Sequence, residues 1–114
     1  MSAPVLTIDV AHPPRHPDDV ESELSEALSR VLRSQSLRLL KIVHGYGSSG
    51  KGGGTKETVL NWAYRQRERV RGIITGETYG MFDEMTRRMR QETGQFPDPD
   101  LDASNRGVTL VWVK

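Results

Sequence analysis

The residues that could do chemistry concentrate in one stretch, where an apolar run ends at His44 and a glycine-rich segment follows as far as Gly54. Glycine adopts positive φ readily and lets a ligand approach the backbone N–H groups closely. A helical pattern begins just beyond the loop, and a helix start offers unpaired N–H groups and the positive end of a dipole. Lys51 and Lys56 add positive charge. These features predict an anion site, and phosphate is the anion that we expect there.

Two nucleotide-binding motifs match this loop only in part. Residues 45–51 satisfy G-x-x-x-x-G-K, but Gly52 stands where a P-loop needs Ser or Thr to hold magnesium, and further glycines separate the lysine from the helix. Gly45, Gly47 and Gly50 satisfy G-x-G-x-x-G without a helix opening at the third glycine. We therefore expect no nucleotide cofactor.

A second set of residues has the spacing of a calcium loop. Asp98, Asp100 and Asp102 alternate along the chain, but Ala103 replaces the glycine of the sixth position and Thr109 the glutamate of the twelfth. A solvated acidic turn is the expected structure of this segment.

Basic side chains group at two places. Trp62, Arg65 and Arg69 are spaced by three and four residues, so they could hold a nucleic-acid backbone and stack a base. The alternative is a charged outer helix face with a half-buried tryptophan. The second basic cluster contains Arg87, Arg88 and Arg90.

The composition limits the classes of protein. The 114 residues suffice for one domain, which we expect to span residues 1–114. A net charge of +1 excludes a general polycation, so nucleic-acid binding must come from local clusters of the 16 Lys and Arg. No cysteine is present, which excludes disulfides and zinc–thiolate sites. No apolar run approaches ~18 residues, so we expect a cytoplasmic protein without membrane association.

Hydrophobic periodicity predicts alternating strands and helices. The predicted strands cover residues 4–10, 37–43, 70–75 and 107–113. The predicted helices cover residues 17–34, a segment capped by Thr55, and residues 80–93. Within the third helix we expect Phe82, Met85 and Met89 on one face, and we expect Met81 in the core. Strand–helix–strand order favours parallel pairing and a small α/β sandwich, with the glycine loop at a carboxyl end.

The motif His44-Gly45-x-Gly47, set between a strand and an apolar helix that contains Lys56 and Trp62, resembles the Smr (small MutS-related) domain. Residues 107–113 are similar to the closing strand of that domain. The family also has Leu-Asp-x-His at the end of its first strand. Asp9 matches that motif, but Ala11 stands at the histidine position and His12 comes one residue late. In a strand, such a slip puts the side chain on the opposite face, unless the prolines that follow end the strand early and return His12.

The resemblance implies a two-layer α/β sandwich like the C-terminal domain of translation initiation factor 3, here with an extra helix before the last strand. It also implies DNA or RNA binding, with nicking or endonuclease activity in some members. Asp9, His12 and His44 are then the candidate catalytic residues. The candidates for binding phosphate and nucleic acid are Gly45, Gly47, Lys51, Lys56, Trp62, Arg65 and Arg69.

Histidine can act as base or acid near neutral pH, and lysines and backbone N–H groups can stabilise the charge on a phosphate in transfer. Asp9 could orient a histidine, act as a base or hold a divalent metal. His44 could equally be a structural residue at the end of its strand. Three functions therefore stay open, namely an endonuclease, a non-catalytic nucleic-acid-binding module and a protein-interaction domain. The residues do not distinguish DNA from RNA or indicate the oligomeric state.

Overall fold

A computed structural model describes residues 3–46 and 53–114 of the chain. Its elements follow the predicted order of alternating strands and helices, with a short 3₁₀ turn after the second helix. They are β1 (Val5–Asp9), α1 (Pro17–Arg33), β2 (Leu39–Val43), α2 (Gly53–Arg65), the 3₁₀ turn (Arg67–Arg69), β3 (Val70–Thr75), α3 (Glu84–Thr93) and β4 (Val108–Val113). The α/β class and the presence of a helix before the last strand are thus confirmed.

The four strands form one mixed sheet in the order β1-β2-β4-β3. β1 and β2 pair in parallel, whereas β4 runs antiparallel to both of its neighbours, β2 and β3. The expectation of parallel pairing therefore holds only for β1 and β2, because the last strand returns into the middle of the sheet. This central position explains why every residue of β4 is buried.

The residues around His16 and Pro17 explain why helix α1 begins there. His16 is the N-cap and its ring accepts a hydrogen bond from the Asp18 N–H, and Pro17 occupies the first helical turn. Asp18 and Asp19 complement the helix dipole there. One stripe of the helix is buried, at Val20, Leu24, Ala27, Leu28 and Val31.

The sheet is covered on both faces. α1 and α2 pack on one face, where Leu28, Trp62 and Val111 belong to one apolar cluster. α3 and the segment that follows it cover the other face, where Met89 and Phe96 pack with Trp112.

Two local predictions are wrong. Thr55 does not cap α2, because the helix already begins at Gly53. Phe82 is 99% exposed and Met81 is 38% exposed, so neither packs in the core with Met89. The physical reason is that α3 begins only at Glu84, after its N-cap Asp83, so both residues lie outside the helical phase that buries Met89.

Candidate functional site

Asp9 and His12 form a contact pair at the carboxyl end of β1. The Nδ1 atom of His12 lies 2.9 Å from Oδ2 of Asp9 and 3.1 Å from Oδ1. The Asp9 Oδ1 atom also accepts hydrogen bonds from the backbone N–H groups of Ala11 and His12, at 2.9 and 3.0 Å. The His12 side chain is 70% exposed. Because Nδ1 faces the carboxylate, the Nε2 atom is the nitrogen that a substrate could reach.

The turn explains how a histidine displaced by one residue still reaches Asp9. The strand ends at Asp9, and the backbone then folds over the Asp9 side chain, as aspartate often makes it do after a strand. The backbone N–H groups of Ala11 and His12 both bond the Asp9 carboxylate. The side chain of His12 therefore returns to Asp9 and does not point away on the opposite face.

Burial raises the pKa of the Asp9 carboxyl, but the hydrogen bonds from Ala11, the His12 ring and the His12 backbone outweigh it. The pKa of Asp9 consequently lies below its ordinary value. The carboxylate is therefore charged at neutral pH, and as an acceptor it favours the His12 tautomer that carries its hydrogen on Nδ1.

Arg15 is a site residue that the sequence analysis missed. Its Nη2 donates to the Asp9 carbonyl at 2.7 Å and its Nη1 donates to the Pro13 carbonyl, so one guanidinium joins both ends of the turn. Its Nε donates to Glu23 of α1 at 2.5 Å. The only signal in the sequence was that Arg15 precedes the acidic Glu23 by eight residues. That spacing is not specific for a contact.

His44 follows β2, next to the Asp9–His12 pair. Asp9 pairs with Val43 across the parallel strands, and the Val10 N–H donates to the Val43 carbonyl at 3.0 Å. The His44 side chain is nevertheless buried, with 1% of the residue exposed. Both of its ring nitrogens have partners, since Nδ1 lies 2.5 Å from the Gly45 carbonyl and Nε2 lies 2.9 Å from the Thr109 hydroxyl.

These contacts define the state of the His44 ring. A carbonyl only accepts, so Nδ1 carries the proton and Nε2 accepts from the Thr109 hydroxyl. Burial lowers the pKa of His44 below its ordinary value, a shift that the Gly45 carbonyl opposes and the charge of Lys56 reinforces. A neutral ring with both nitrogens occupied fits the structural alternative, and not a direct phosphate ligand.

The start of the glycine loop is bonded to Gly107, the residue that precedes β4. The N–H groups of His44 and Gly45 both donate to the Gly107 carbonyl, at 2.9 and 3.1 Å. Gly45 has φ +68°, a conformation that favours glycine. Gly47 and Lys51, two of the predicted phosphate-binding residues, lie outside the described residues.

Lys56 lies in the first turns of α2 and already has an acidic partner. Its Nζ atom is 2.8 Å from Oε2 of Glu77, and its side chain is 18% exposed. This hydrogen bond lowers the pKa of Glu77. A phosphate contact by Lys56 would therefore compete with Glu77.

The predicted stripe of Trp62, Arg65 and Arg69 does not form a base-binding surface. Trp62 is 1% exposed and its Nε1 donates to the Ser25 hydroxyl at 3.1 Å, so its ring cannot stack a base. Arg65 pairs with Glu21 of α1 at 2.6 Å, and Arg69 donates to the Gln66 side chain.

The second basic cluster is also divided. Arg90 is 4% exposed and donates to the Phe96 carbonyl at 2.5 Å, whereas Arg87 donates to the Met81 carbonyl and is exposed. Of its three arginines, only Arg87 and Arg88 present exposed side chains.

The acidic segment has a structural role that was not predicted. Asp98 is not solvated, because its side chain is 3% exposed and accepts hydrogen bonds from Lys41 at 2.7 Å and from the Tyr79 hydroxyl at 2.8 Å. Asp100 also pairs with Lys41, and Asp102 accepts from the Met81 N–H. A lysine in the middle of an apolar strand was the signal that could have indicated a buried acidic partner.

No group of three His, Asp or Glu side chains within residues 3–46 and 53–114 could close around a metal ion. Asp9 and His12 offer two donors at the exposed edge. Magnesium commonly keeps several waters and takes only one or two carboxylates together with substrate phosphates. A divalent ion at Asp9 would therefore complete its coordination with water and phosphate oxygens.

Sequence comparisons with protein-family models and with curated proteins find no match. A comparison of structures matches the Smr domain of Thermus thermophilus MutS2 with a TM-score of 0.55. The match covers 96% of this chain and 96% of that chain, at 16% sequence identity. The chain has the fold of an Smr domain.

The Smr fold extends over more of the chain than the motifs that first indicated it, since the match includes the segment with α3. The similarity to translation initiation factor 3 stays a prediction. None of the helices in the described part of the chain combines the length and apolar character needed to cross a bilayer.

Proposed function

We propose that this Smr-fold chain binds DNA or RNA and cleaves a phosphodiester bond at the carboxyl ends of β1 and β2, beside the loop that begins at His44-Gly45-Tyr46-Gly47. One observation carries the proposal, namely the exposed Asp9–His12 pair at this edge. Histidine bound to a carboxylate through one nitrogen and open at the other is the usual arrangement of a general acid or base.

In the proposed reaction, Nε2 of His12 removes a proton from an attacking water molecule as the water oxygen bonds to phosphorus. The bond from phosphorus to the leaving oxygen then breaks, the leaving oxygen takes a proton from solvent water, and the His12 imidazolium returns its proton to the solvent. Asp9 holds the Nδ1–H and stabilises the charged imidazolium that forms in between. Lys51, Lys56 and the backbone of Gly45 and Gly47 are the proposed contacts to the phosphate.

In this mechanism His44 is a positioning residue. Its bonds to Gly45 and Thr109 hold the first residues of the loop against β4. The same burial supports the second candidate function, a binding module without catalysis, because one of the two histidines expected at the phosphate is enclosed in the core.

Cleavage of labelled single-stranded RNA and of branched and supercoiled DNA tests the proposal, with binding recorded in the same samples and with magnesium, manganese or EDTA present. We expect His12→Ala to lower the cleavage rate by about 100-fold or more, as is typical for loss of a general acid or base, and to leave binding within about twofold. Asp9→Asn should reduce cleavage and keep the turn, since its side-chain oxygen still accepts from the backbone.

His16→Asn is the matched control, because His16 is an exposed histidine and asparagine is a good N-cap. Full cleavage by His12→Ala would exclude the proposed base. If the wild type binds but does not cleave under any condition, the function is that of a binding module. If the wild type neither binds nor cleaves, the similarity to Smr domains extends only to the fold.

A further inference from the structure

An aromatic–guanidinium pair lies at the start of the loop. The Arg106 guanidinium carbon is 4.9 Å from the centroid of the Tyr46 ring, and Tyr46 is 47% exposed. The backbone brings the two segments together, because the N–H groups of His44 and Gly45 both bond the Gly107 carbonyl. Tyr46 and Arg106 are the flanking residues on either side of that junction.

The ring of Tyr46 has a free surface that a ligand could cover. The large side chains of the fold are mostly buried, and Tyr46 is one of four large apolar or aromatic residues exposed in the described part of the chain. The guanidinium lies over one face of the ring, so a second planar group would stack on the opposite face. Within residues 3–46 and 53–114, no carboxylate pairs with Arg106, so its charge is available for a phosphate.

The position of Tyr46 relates it to the Asp9–His12 pair. Asp9 pairs with Val43, and Tyr46 follows Val43 by three residues. Three residues span at most ~11 Å of chain, and paired strands lie ~5 Å apart. The Cα atoms of Asp9 and Tyr46 are therefore within about 16 Å of each other. This distance corresponds to roughly five nucleotides at ~3.4 Å each in a stacked strand.

We propose that Tyr46 stacks an unpaired base and that Arg106 contacts the adjoining phosphate, so that the chain selects a single-stranded segment of nucleic acid. This inference rests on the proposed function and specifies its substrate. A base can stack on an aromatic face only when it is outside a duplex, and such stacking tolerates any base. The selectivity is for strandedness and not for sequence.

Tyr64 provides a matched control. It is also an exposed tyrosine, 62% accessible, and the Arg67 guanidinium lies 4.3 Å from its ring centroid. Tyr64 lies in the last turn of α2, whereas the glycine loop leads into the first turn, and the 13 residues of α2 are about 20 Å long. It therefore has the same chemistry at a distance from the Asp9–His12 edge.

Fluorescence anisotropy measures the affinity for a fluorescein-labelled oligonucleotide of mixed sequence and roughly 12 residues. The oligonucleotide is used as single-stranded DNA, as single-stranded RNA and as blunt duplexes of the same sequence. We expect Tyr46→Ala to weaken single-strand binding by about 5- to 150-fold, the range for loss of one stacked base, and to change duplex binding less than twofold. Tyr46→Phe should bind as the wild type does, and so should Tyr64→Ala. Arg106→Gln should reduce the slope of log Kd against log salt by the amount expected for the loss of about one phosphate contact.

Equal affinity of Tyr46→Ala and wild type for single strands would overturn the inference and leave the cleavage proposal intact. Equal weakening on duplexes would overturn the selectivity for single strands. A wild-type chain that binds neither the single strands nor the duplexes at low salt would overturn both proposals. A larger loss on RNA than on DNA would support the stacking contact and assign the preferred strand.

Discussion

The imidazole of His44 and the hydroxyl of Thr109 meet in the core at 2.9 Å, although 65 residues separate them in the chain. His44 directly follows β2, and Thr109 lies in β4, where its register partner is Ile42. The Gly45 carbonyl and the Thr109 hydroxyl together give both nitrogens of the neutral His44 ring a hydrogen-bond partner. The contact joins the start of the glycine loop to the central strand of the sheet.

This burial predicts a loss of stability in mild acid. The folded-state pKa of His44 is lowered, so the unfolded chain binds more protons in the range between that pKa and the ordinary value of 6.5. Stability should therefore fall as pH drops below about 6.5, and this loss should stop once pH is below the folded-state pKa. Urea unfolding from pH 7.5 to pH 5 measures the effect, and His44→Asn should flatten it. An unchanged pH profile in that variant would contradict the assignment.

Thr109→Val tests the same contact without changing the shape of the side chain. The hydroxyl donor is removed and Nε2 of His44 loses its partner in the core, which costs about 1–3 kcal/mol of unfolding free energy. Urea unfolding at pH 7 measures the change. A loss below ~0.5 kcal/mol would mean that water reaches Nε2.

Lys41 should be among the most costly ion-pair residues to replace. Burial lowers the pKa of Lys41, but its bonds to Asp100 and Asp98 outweigh burial and raise that pKa overall. Lys41→Met leaves two carboxylates unpaired, one of them on a side chain only 3% exposed, so we expect a loss of about 3–5 kcal/mol.

Lys56→Met is the matched control for this prediction. Lys56 also forms an ion pair, but with a single carboxylate, that of Glu77, and at a more exposed position. Its expected loss is about 0–1 kcal/mol. Adding Asp98→Asn to Lys41→Met should recover part of the stability, and the difference between single and double changes measures the coupling. Equal losses for Lys41→Met and Lys56→Met would refute the buried network.

Gly76 and Gly54 should respond to alanine in opposite directions. A Cβ on Gly76 would lie 1.7 Å from the Asn105 carbonyl oxygen, a backbone atom, whereas a Cβ on Gly54 meets nothing within 4 Å. We expect Gly76→Ala to destabilise by about 1–3 kcal/mol or more, and Gly54→Ala in α2 to be neutral or stabilising by up to ~1 kcal/mol. Thermal unfolding of both variants measures the contrast, and equal melting temperatures would contradict it.

Arg15 should act on cleavage by positioning the Asp9–His12 turn. Arg15→Gln removes the donors that join the Asp9 and Pro13 carbonyls, so kcat should fall by about 10- to 100-fold with little change in KM. Arg30→Gln, on the exposed face of α1, is the control. Steady-state kinetics on the oligonucleotide substrate separates the two constants, and a rise in KM alone would assign Arg15 to binding instead.

Local patterns predicted most of the elements. Residues 70–75 were predicted as a strand with the bounds of β3, and α1 ends within one residue of its prediction, because capping residues and apolar spacing act over a few neighbours. The start of α3 was placed too early because Met81 and Phe82 are apolar, while the N-cap Asp83 decides where the helix begins. Asp9 and His12 were identified from their types, but their contact depended on a turn whose conformation the pattern did not specify.

By itself, the sequence determined the α/β class, the order of the elements and the position of the glycine loop after a strand, since each depends on contacts between near neighbours. Only the tertiary structure decided that β4 lies between β2 and β3, that Trp62 and His44 are buried, and that Lys41 meets Asp98 from 57 residues away. Whether a polar side chain serves a site or the core depends on which distant backbone and side-chain atoms surround it. Those neighbours are set by the packing of helices on both faces of the sheet, and not by the spacing of residues along the chain.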